Sequence, residues 1–474
     1  MSFFEKIMEV CVRRGIIYPS SEIYGGIAGF YDYGSVGTRI KKNWENFWRD
    51  WFLSEDNCHE IETSLIMPEK VLIASGHVAN FVDPVVECSK CGRTERADHV
   101  LEAKLGESFE GKTPEEMTEL IKKHGIKCEC GGEYKEVDVI NLMFSVEIGA
   151  YKNIKGYLRP ETAQGAYVSF KREFKVNREK LPLGLAIIGK AFRNEISPRQ
   201  GVFRMREFTQ AELQIFFDPD TIDEHPNYDE VKDIEVQVLR AGEKEMERVK
   251  IRDLGLPKRY AYYMGKIKKF FDALRYPEEV FRFRELSEEE RAFYNRYHWD
   301  IEIYFRSYNS FKEVAGLHYR TDHDLGGHQK HSGIDHGVGE RKFIPHVIEI
   351  SFGVDRNVFS LLDVFYREEE DRRYFALPKQ VAPYLAGVYP LVNKDGIDEK
   401  AREIYQQIKS RDVFYDDKGS IGRRYARADE IGVYYGITVD YQTLEDNTVT
   451  IRHRDTKEQE RVPVEKLGGY LCRY

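Results

Sequence analysis

The chain has 474 residues, 41% of them apolar and 32% charged, and a formal net charge of −9 at pH 7. That length predicts about three domains, each able to bury a core. No run of eighteen apolar residues exists to span a bilayer, MSFFEKIMEV lacks a signal-peptide layout, and the acidic balance argues against indiscriminate coating of nucleic acid, so the expectation is a cytoplasmic protein that grips any RNA through local patches. Phe4, Ile7, Met8 and Cys11 recur at helical spacing before Gly15, which predicts an amphipathic helix over 2–14. The turn-rich YGGIAGFYDYG (24–34) leads into a longer helix whose Trp44, Phe47, Trp48 and Trp51 form one stripe, read as core in preference to a binding surface. EIETSLIMPEKV (60–71) reads as an apolar strand, and its Pro68 suits a sheet edge or a subunit contact, where no ladder donor is required.

Residues 86–138 change character and read as a charged insertion carrying VECSKCGRTERADH and IKCECGGEYKE. Apolar strands return over 139–217. Residues 218–298 read as a second, mainly helical insertion, with KRYAYYMGKIKKFFDAL as its clearest helix. WDIEIYF (299–305) and EVAGLHYRTDHDL (313–325) resume the strands, and HVIEISFGVDRNVFSLL (346–362) sets Gly353-x-x-Arg356 at a strand-to-helix junction. EEEDRRYFALP (368–378) reads as a linker. Over 381–474 strands alternate with helices, which predicts a small α/β domain.

The most informative stretch is FRNEISPRQGVFRMREFTQAELQIFF (192–217). Arg193 and Glu195 precede a polar loop, and Arg204, Arg206, Phe208 and Glu212 then alternate as on a strand. On two antiparallel strands these side chains can point into one cleft, where arginine neutralises a phosphate and the ring offers a face to a base. A plain charged hairpin is the alternative. FKREFKVNREK (170–180) and GRRYAR (422–427) are candidate RNA patches or simply solvated faces. Cys88-x-x-Cys91 and Cys128-x-Cys130 can each form a thiolate knuckle and together suit a structural, tetrahedral Zn²⁺; buried thiols without metal are the alternative. Cys11, Cys58 and Cys472 are scattered and read as reduced. GLAIIGKA (184–191) nearly matches a phosphate loop, but Ala191 lacks the hydroxyl and the apolar run favours a buried strand. Six of the thirteen histidines lie between His318 and His346; the glycine-rich setting favours hydrogen-bonded structural roles over metal.

The 192–217 and 346–362 segments resemble motifs 2 and 3 of class II aminoacyl-tRNA synthetases. Together with RPETAQGAY (159–167), RTDHDLGGH (320–328) and YDDKGSIGRRYARADEIG (415–432), they resemble the homodimeric, archaeal and eukaryotic-like glycyl-tRNA synthetases over nearly the whole chain. The resemblance implies an α+β fold: an antiparallel sheet flanked by helices, two insertions, and a C-terminal α/β anticodon-binding domain. Its divisions would be 1–85 with motif 1, 86–138, 139–217 with motif 2, 218–298, 299–375 with motif 3, and 381–474. It implies glycine, ATP with Mg²⁺ and tRNA(Gly) as ligands, a homodimer formed through motif 1, and neither DNA nor membrane. ATP would meet Arg193, Asn194, Glu195, Phe203, Arg204, Phe208, Glu313, Val314, Gly353 and Arg356, with Arg193 and Arg356 catalytic. Glycine would meet Arg96, Glu161, Phe208, Glu212, Glu349 and Ser351, and Cys88, Cys91, Cys128 and Cys130 would hold the zinc. Asp322, Asp324 and His328 match a loop of the subfamily. Glu349 and Ser351 stand where the general motif 3 has glycines, which favours glycine as substrate. Three rivals remain: a binding protein that has kept the fold without the reaction, a synthetase for serine, threonine or proline, and a zinc-dependent RNA-binding module.

Overall fold

The structure is a computed structural model that describes residues 1–473 apart from Ser108, Glu110, Lys152, Asn153, Ser197, Arg199, Gln200, Ala292 and Phe293. Nine strands build one sheet: β1 (Cys58–Glu60), β2 (Leu183–Phe192), β3 (Glu207–Phe217), β4 (Glu235–Leu239), β5 (Glu247–Lys250), β6 (Phe281–Glu285), β7 (Tyr297–Phe305), β8 (Ser310–Thr321) and β9 (His346–Gly353). Their spatial order is β5-β4-β6-β7-β8-β9-β3-β2-β1, antiparallel except at β4/β6 and β2/β1. The near-match to a phosphate loop lies inside β2, as the apolar run suggests.

Period-two alternation divides this sheet into an apolar and a polar face. In β3, Ala211, Leu213 and Ile215 turn to one side, and in β9 Ile348, Ile350 and Phe352 join them. That side is covered by α1 (Phe3–Arg13) and α2 (Ser35–Phe52). α1 opens on a reciprocal cap in which Ser2 accepts from the Glu5 N–H and the Glu5 carboxylate from the Ser2 N–H. The tryptophan stripe of α2 is core: Trp44 and Trp48 are wholly buried, with Trp44 and Phe352 ring centroids 5.8 Å apart. The other face carries Gln210, Glu212, Gln214, Glu349 and Ser351. There α3 (Ala163–Val176) packs its Ala166, Tyr167 and Phe170 on the β2–β3–β9 end and leaves the rest open.

Four expectations change. Residues 218–298 are not mainly helical: they supply β4, β5 and β6 and one long helix, α4 (Lys258–Ala273), which joins the apolar layer. These strands have four or five residues and mix polar or charged with apolar positions, as in EVQVL, ERVK and FRFRE, so none is long or apolar enough to stand out. Of the strand predicted over 60–71 only Glu60 and 66–68 lie in strands and 69–71 open a helix (Glu69–Ala74); Pro68 ends its piece on the outer strand of a small three-stranded sheet. The glycine-rich histidine segment folds as α5 (His323–Ser332); a Cβ at Gly327 would meet the Ala74 carbonyl oxygen at 2.5 Å, so the helix can approach only with glycine there. The linker forms a short hairpin, 366–368 with 373–375, directly after α6 (Val354–Phe365).

Residues 82–141 form a small body of their own. Strands 82–87, 94–96 and 138–141 and helices 97–105 and 114–123 enclose Val86, Leu101, Phe109, Met117 and Ile121. At the C-terminal end, β10 (Ala386–Pro390), β11 (Val413–Tyr415), β12 (Tyr435–Val439), β13 (Thr448–His453) and β14 (Gln459–Pro463) run in the order β11-β10-β12-β13-β14, with α7 (Ile397–Ile408) and α8 (Ile421–Glu430). The parallel β11, β10 and β12 agree with the alternating strand–helix pattern. Among the described residues no helix is long and apolar enough to cross a membrane.

Candidate active site

A cavity of about 520 Å³ opens on the polar face of the sheet, between the ends of β2 and β3 and the middles of β8 and β9. Register assembles its floor. Glu212 stands opposite Ser351, Gln214 opposite Glu349, and His318 opposite Glu349 from the other side. Gly316, opposite Ser351, keeps the floor low; a Cβ there would run into the His318 ring. Thr209 Oγ1, Asn295 Oδ1 and His298 Nδ1 are buried at the cavity without a hydrogen bond among the described residues, as expected where a polar ligand belongs.

One end is acidic. Glu212 accepts from Thr162 Oγ1 at 2.6 Å, Ser351 Oγ at 2.7 Å and Gln210 Nε2 at 2.8 Å. Burial first, then the charges of Glu349 and Glu161, push its carboxyl up to about 8. Glu349 is also raised, by burial and by Glu161, although Arg320 opposes the shift. Burial works against the Glu161 carboxylate too, yet His77, Arg320 and Gln164 together hold it well below the usual range. Several carboxylates confined in this way are matched to a small cation.

The other end is basic. Arg193 leaves β2 with its guanidinium 5.3 Å from the ring centres of both Phe208 and Phe81, and donates to the Pro160 carbonyl. Glu195 accepts from Arg204 Nε at 2.7 Å, and Arg206 clamps the Glu195 carbonyl. Arg356, in the first turn of α6, donates to Glu313 at 2.9 Å, and Gly353 precedes that helix. Phe203 lies edge-on to Phe305 beneath this end. The structure therefore brings Glu161, Arg193, Glu195, Phe203, Arg204, Phe208, Glu212, Glu313, Glu349, Ser351, Gly353 and Arg356 around one space.

Three expected residues do not line it. Arg96 is engaged by Asp83 at 3.0 Å and by Asp98. Asn194 gives its backbone N–H to Leu142, and Val314 is buried with its carbonyl accepting from Asn357. Conversely, sequence reasoning passed over Thr162, Gln210, His298, His318, Arg320 and Asp355. Arg320 opens the RTDHDLGGH string, and Asp355, which accepts from Tyr33 at 2.7 Å, occupies one of the two unassigned places between Gly353 and Arg356. The four patterned cysteines converge, with all four sulfurs within 4.8 Å of one another and the Cys88–Cys130 and Cys91–Cys128 pairs at 3.5 and 3.8 Å. A tetrahedron with Zn–S bonds of about 2.3 Å needs sulfurs about 3.8 Å apart, so the donor set fits zinc. The Cys88 thiol is drawn down to about 6, first by the backbone N–H of Cys91.

Residues 144–365 match the tRNA synthetase class II core domain (G, H, P, S and T), and residues 386–473 match the anticodon binding domain. Glycine–tRNA ligase of Pyrococcus horikoshii is 43% identical over 99% of this chain and 98% of its own length. The chain belongs to the glycine–tRNA ligase family. The glycine–tRNA ligases of Pyrococcus furiosus and Methanocaldococcus jannaschii are 43% and 40% identical, each over 99% of this chain and 98% of their own. The alignment with the first spans 562 positions against 474 residues here, so that glycine–tRNA ligase carries internal segments this chain lacks. Membership places the chain among the aminoacyl-tRNA synthetases with a class II core, which use ATP with Mg²⁺.

Proposed function

We propose that this chain joins glycine to tRNA(Gly) in two steps. In the first, a glycine carboxylate oxygen attacks the α-phosphorus of ATP, an oxygen–phosphorus bond forms, the α–β bridge breaks, and pyrophosphate leaves. In the second, the 3′-hydroxyl of the terminal adenosine attacks the carbonyl of glycyl-adenylate, loses its proton, and expels AMP. The carboxylate is already ionised at neutral pH, so the first step needs no base and rests on positioning and charge. Arg193 is suited to bridge the substrate carboxylate and the α-phosphate, and Arg356 to hold the far phosphates. Glu195 would accept from the adenine amino group and Phe208 would stack on its ring. Mg²⁺ arriving with ATP would offset phosphate charge, and Glu313, half-exposed at that end, is the carboxylate to hold it. Glu161, Glu212, Glu349 and Ser351 would grip the ammonium of an amino acid without a side chain. Larger substrates fail by bulk, the strong direction of discrimination.

The observation that carries this reading is the single cavity with an acidic end and a guanidinium end. An ATP–pyrophosphate exchange panel over twenty amino acids tests it. Exchange should depend on glycine and fall to background in Arg193→Ala; equal rates with alanine or serine, or an unchanged variant, would refute it. Three finer features belong to the same proposal: a structural zinc on Cys88, Cys91, Cys128 and Cys130, a homodimer, and a cytoplasmic location. The dimer is supported by the resemblance to motif 1 and by Leu65 and Ile66, which stand exposed at the outer strand of the small three-stranded sheet.

A further inference from the structure

Behind the acidic end runs a chain of buried hydrogen bonds that joins Glu349 and Glu161 through Arg320, Asp324 and Gln164 and takes in Gln214, four residues to which the reaction above assigns no role. Arg320, 3% exposed, occupies its centre. Nε and Nη2 donate to the two oxygens of Asp324 at 2.8 and 3.0 Å, while Nη1 lies 3.3 Å from both oxygens of Glu349. Glu349 also accepts from Gln214 at 2.7 Å, and Gln214 is fixed by the Tyr167 hydroxyl at 2.8 Å. On the far side Gln164 donates to Asp324 at 3.0 Å and to Glu161 at 2.9 Å. The guanidinium is held between aromatic rings, 4.5 Å from the centre of Tyr294 and 5.4 Å from that of Tyr167.

Four carboxylates, Glu161, Glu212, Glu349 and Asp324, therefore share one buried region, and glycine brings a single ammonium. Anions so crowded take up protons unless a cation is built in, and a protonated carboxyl is a poor partner for an ammonium. We propose that Arg320, clamped by Asp324, is the positioning residue that keeps Glu349 ionised and aimed at the ammonium subsite, and so governs capture of glycine and not of ATP. The proposal rests on the glycine-activating reading.

The groups that surround Arg320 and Glu349 divide by element. β3 offers Glu212 and β8 offers His318, whose ring burial holds neutral. α5 offers Asp324 and His323, α3 offers Tyr167, and Tyr294 covers the guanidinium. Glu161 completes the ring, with His77 at 3.4 Å. Burial and its like-charged neighbours hold Glu212 at about 8, so glycine has to displace its proton and the glycine KM falls as pH rises toward 8. Without Arg320, which opposes the rise, Glu349 shifts further upward and the fall moves to higher pH.

Pyrophosphate exchange with the full chain between pH 6.5 and 9 tests this. Arg320→Gln should raise the glycine KM about 100-fold, leave the ATP KM within about twofold, and move the pH midpoint of the glycine KM up by about one unit. Arg320→Lys, which restores charge without the two-pronged geometry, should recover the midpoint and part of the KM. A lower kcat with both KM values and the midpoint unchanged would mean that Arg320 only supports the fold, and would overturn the assignment. Should Arg320→Gln fail to fold, Arg320→Lys and Asp324→Asn decide: a rise of about tenfold in glycine KM alone supports the role, and equal rises for glycine and ATP overturn it. Wild-type protein without glycine-dependent exchange overturns the activity and this assignment together, whereas an exchanging wild type with unaffected variants overturns the assignment alone.

Discussion

Glu212 faces two charges of its own sign and three donors, and the balance leaves it protonated well above its ordinary value of 4.5. Between pH 4.5 and 8 the native carboxyl binds a proton that the unfolded chain has lost, so stability falls as pH rises through that window. Glu161 has the opposite shift, but its effect lies below 4.5 and is constant here. From pH 7 to 8 the wild type should therefore lose about 1 kcal/mol relative to Glu212→Gln, measured as the difference between their denaturant-unfolding curves. Parallel curves would remove the charge crowding on which the acidic end depends. At this scale much was legible in the sequence. Glu212, Glu349 and Ser351 lie on β-strands of strict alternation, so placing one places its neighbours on the same face. Arg320 was not legible as part of the site, because the bond that matters joins it to Glu349, twenty-nine residues away.

Elements fared less evenly. The convergence of the cysteine pairs was readable because a C-x₂-C and a C-x-C turn each bring two sulfurs together, and the four lie within 4.8 Å of one another. Glycine is needed beside them: a Cβ at Gly132 would lie 2.7 Å from Cys88 Sγ. Elemental analysis should find about one zinc per chain, and Cys88→Ser or Cys128→Ser should lose it and melt the 82–141 body at lower temperature, as seen by hydrogen exchange confined to those residues. Retention of full metal by either variant would reject the assignment. The 218–298 region misled because β4, β5 and β6 are short strands in which, taken together, polar and charged residues outnumber apolar ones. Only the pairing of β6 with β7, of β4 with β6 and of β5 with β4, under cover from α4, makes them strands at all.

At the level of the whole molecule, several contacts orient the parts, among them one from Arg39 to the Arg411 carbonyl. Glu430 of α8 accepts from both Arg13 and Arg14 of the N-terminal segment, and Asn43 of α2 donates to the Ala382 carbonyl at 2.8 Å, so the anticodon-binding domain is docked on the catalytic core. The second surface is outward. Leu65 and Ile66 are each more than 40% exposed, and Val168 and Val176 on α3 are also open to solvent. Sedimentation should report a dimer, and Leu65→Asp with Ile66→Asp should shift it to monomer without unfolding, since both side chains are already exposed in the single chain. A wild-type monomer at micromolar concentration would refute the dimer.

The linear order of motifs was enough to determine the family, the reaction class and most side chains of the cavity, because those residues act through local geometry: a hairpin, a strand face, a first helical turn. What only the tertiary structure decided is which distant groups share one dielectric environment. Charge interactions in a buried site act through space, so the fate of a proton on Glu212, and the need for Arg320, follow from the meeting of β3, β8, β9, α3 and α5 and from no single stretch of chain.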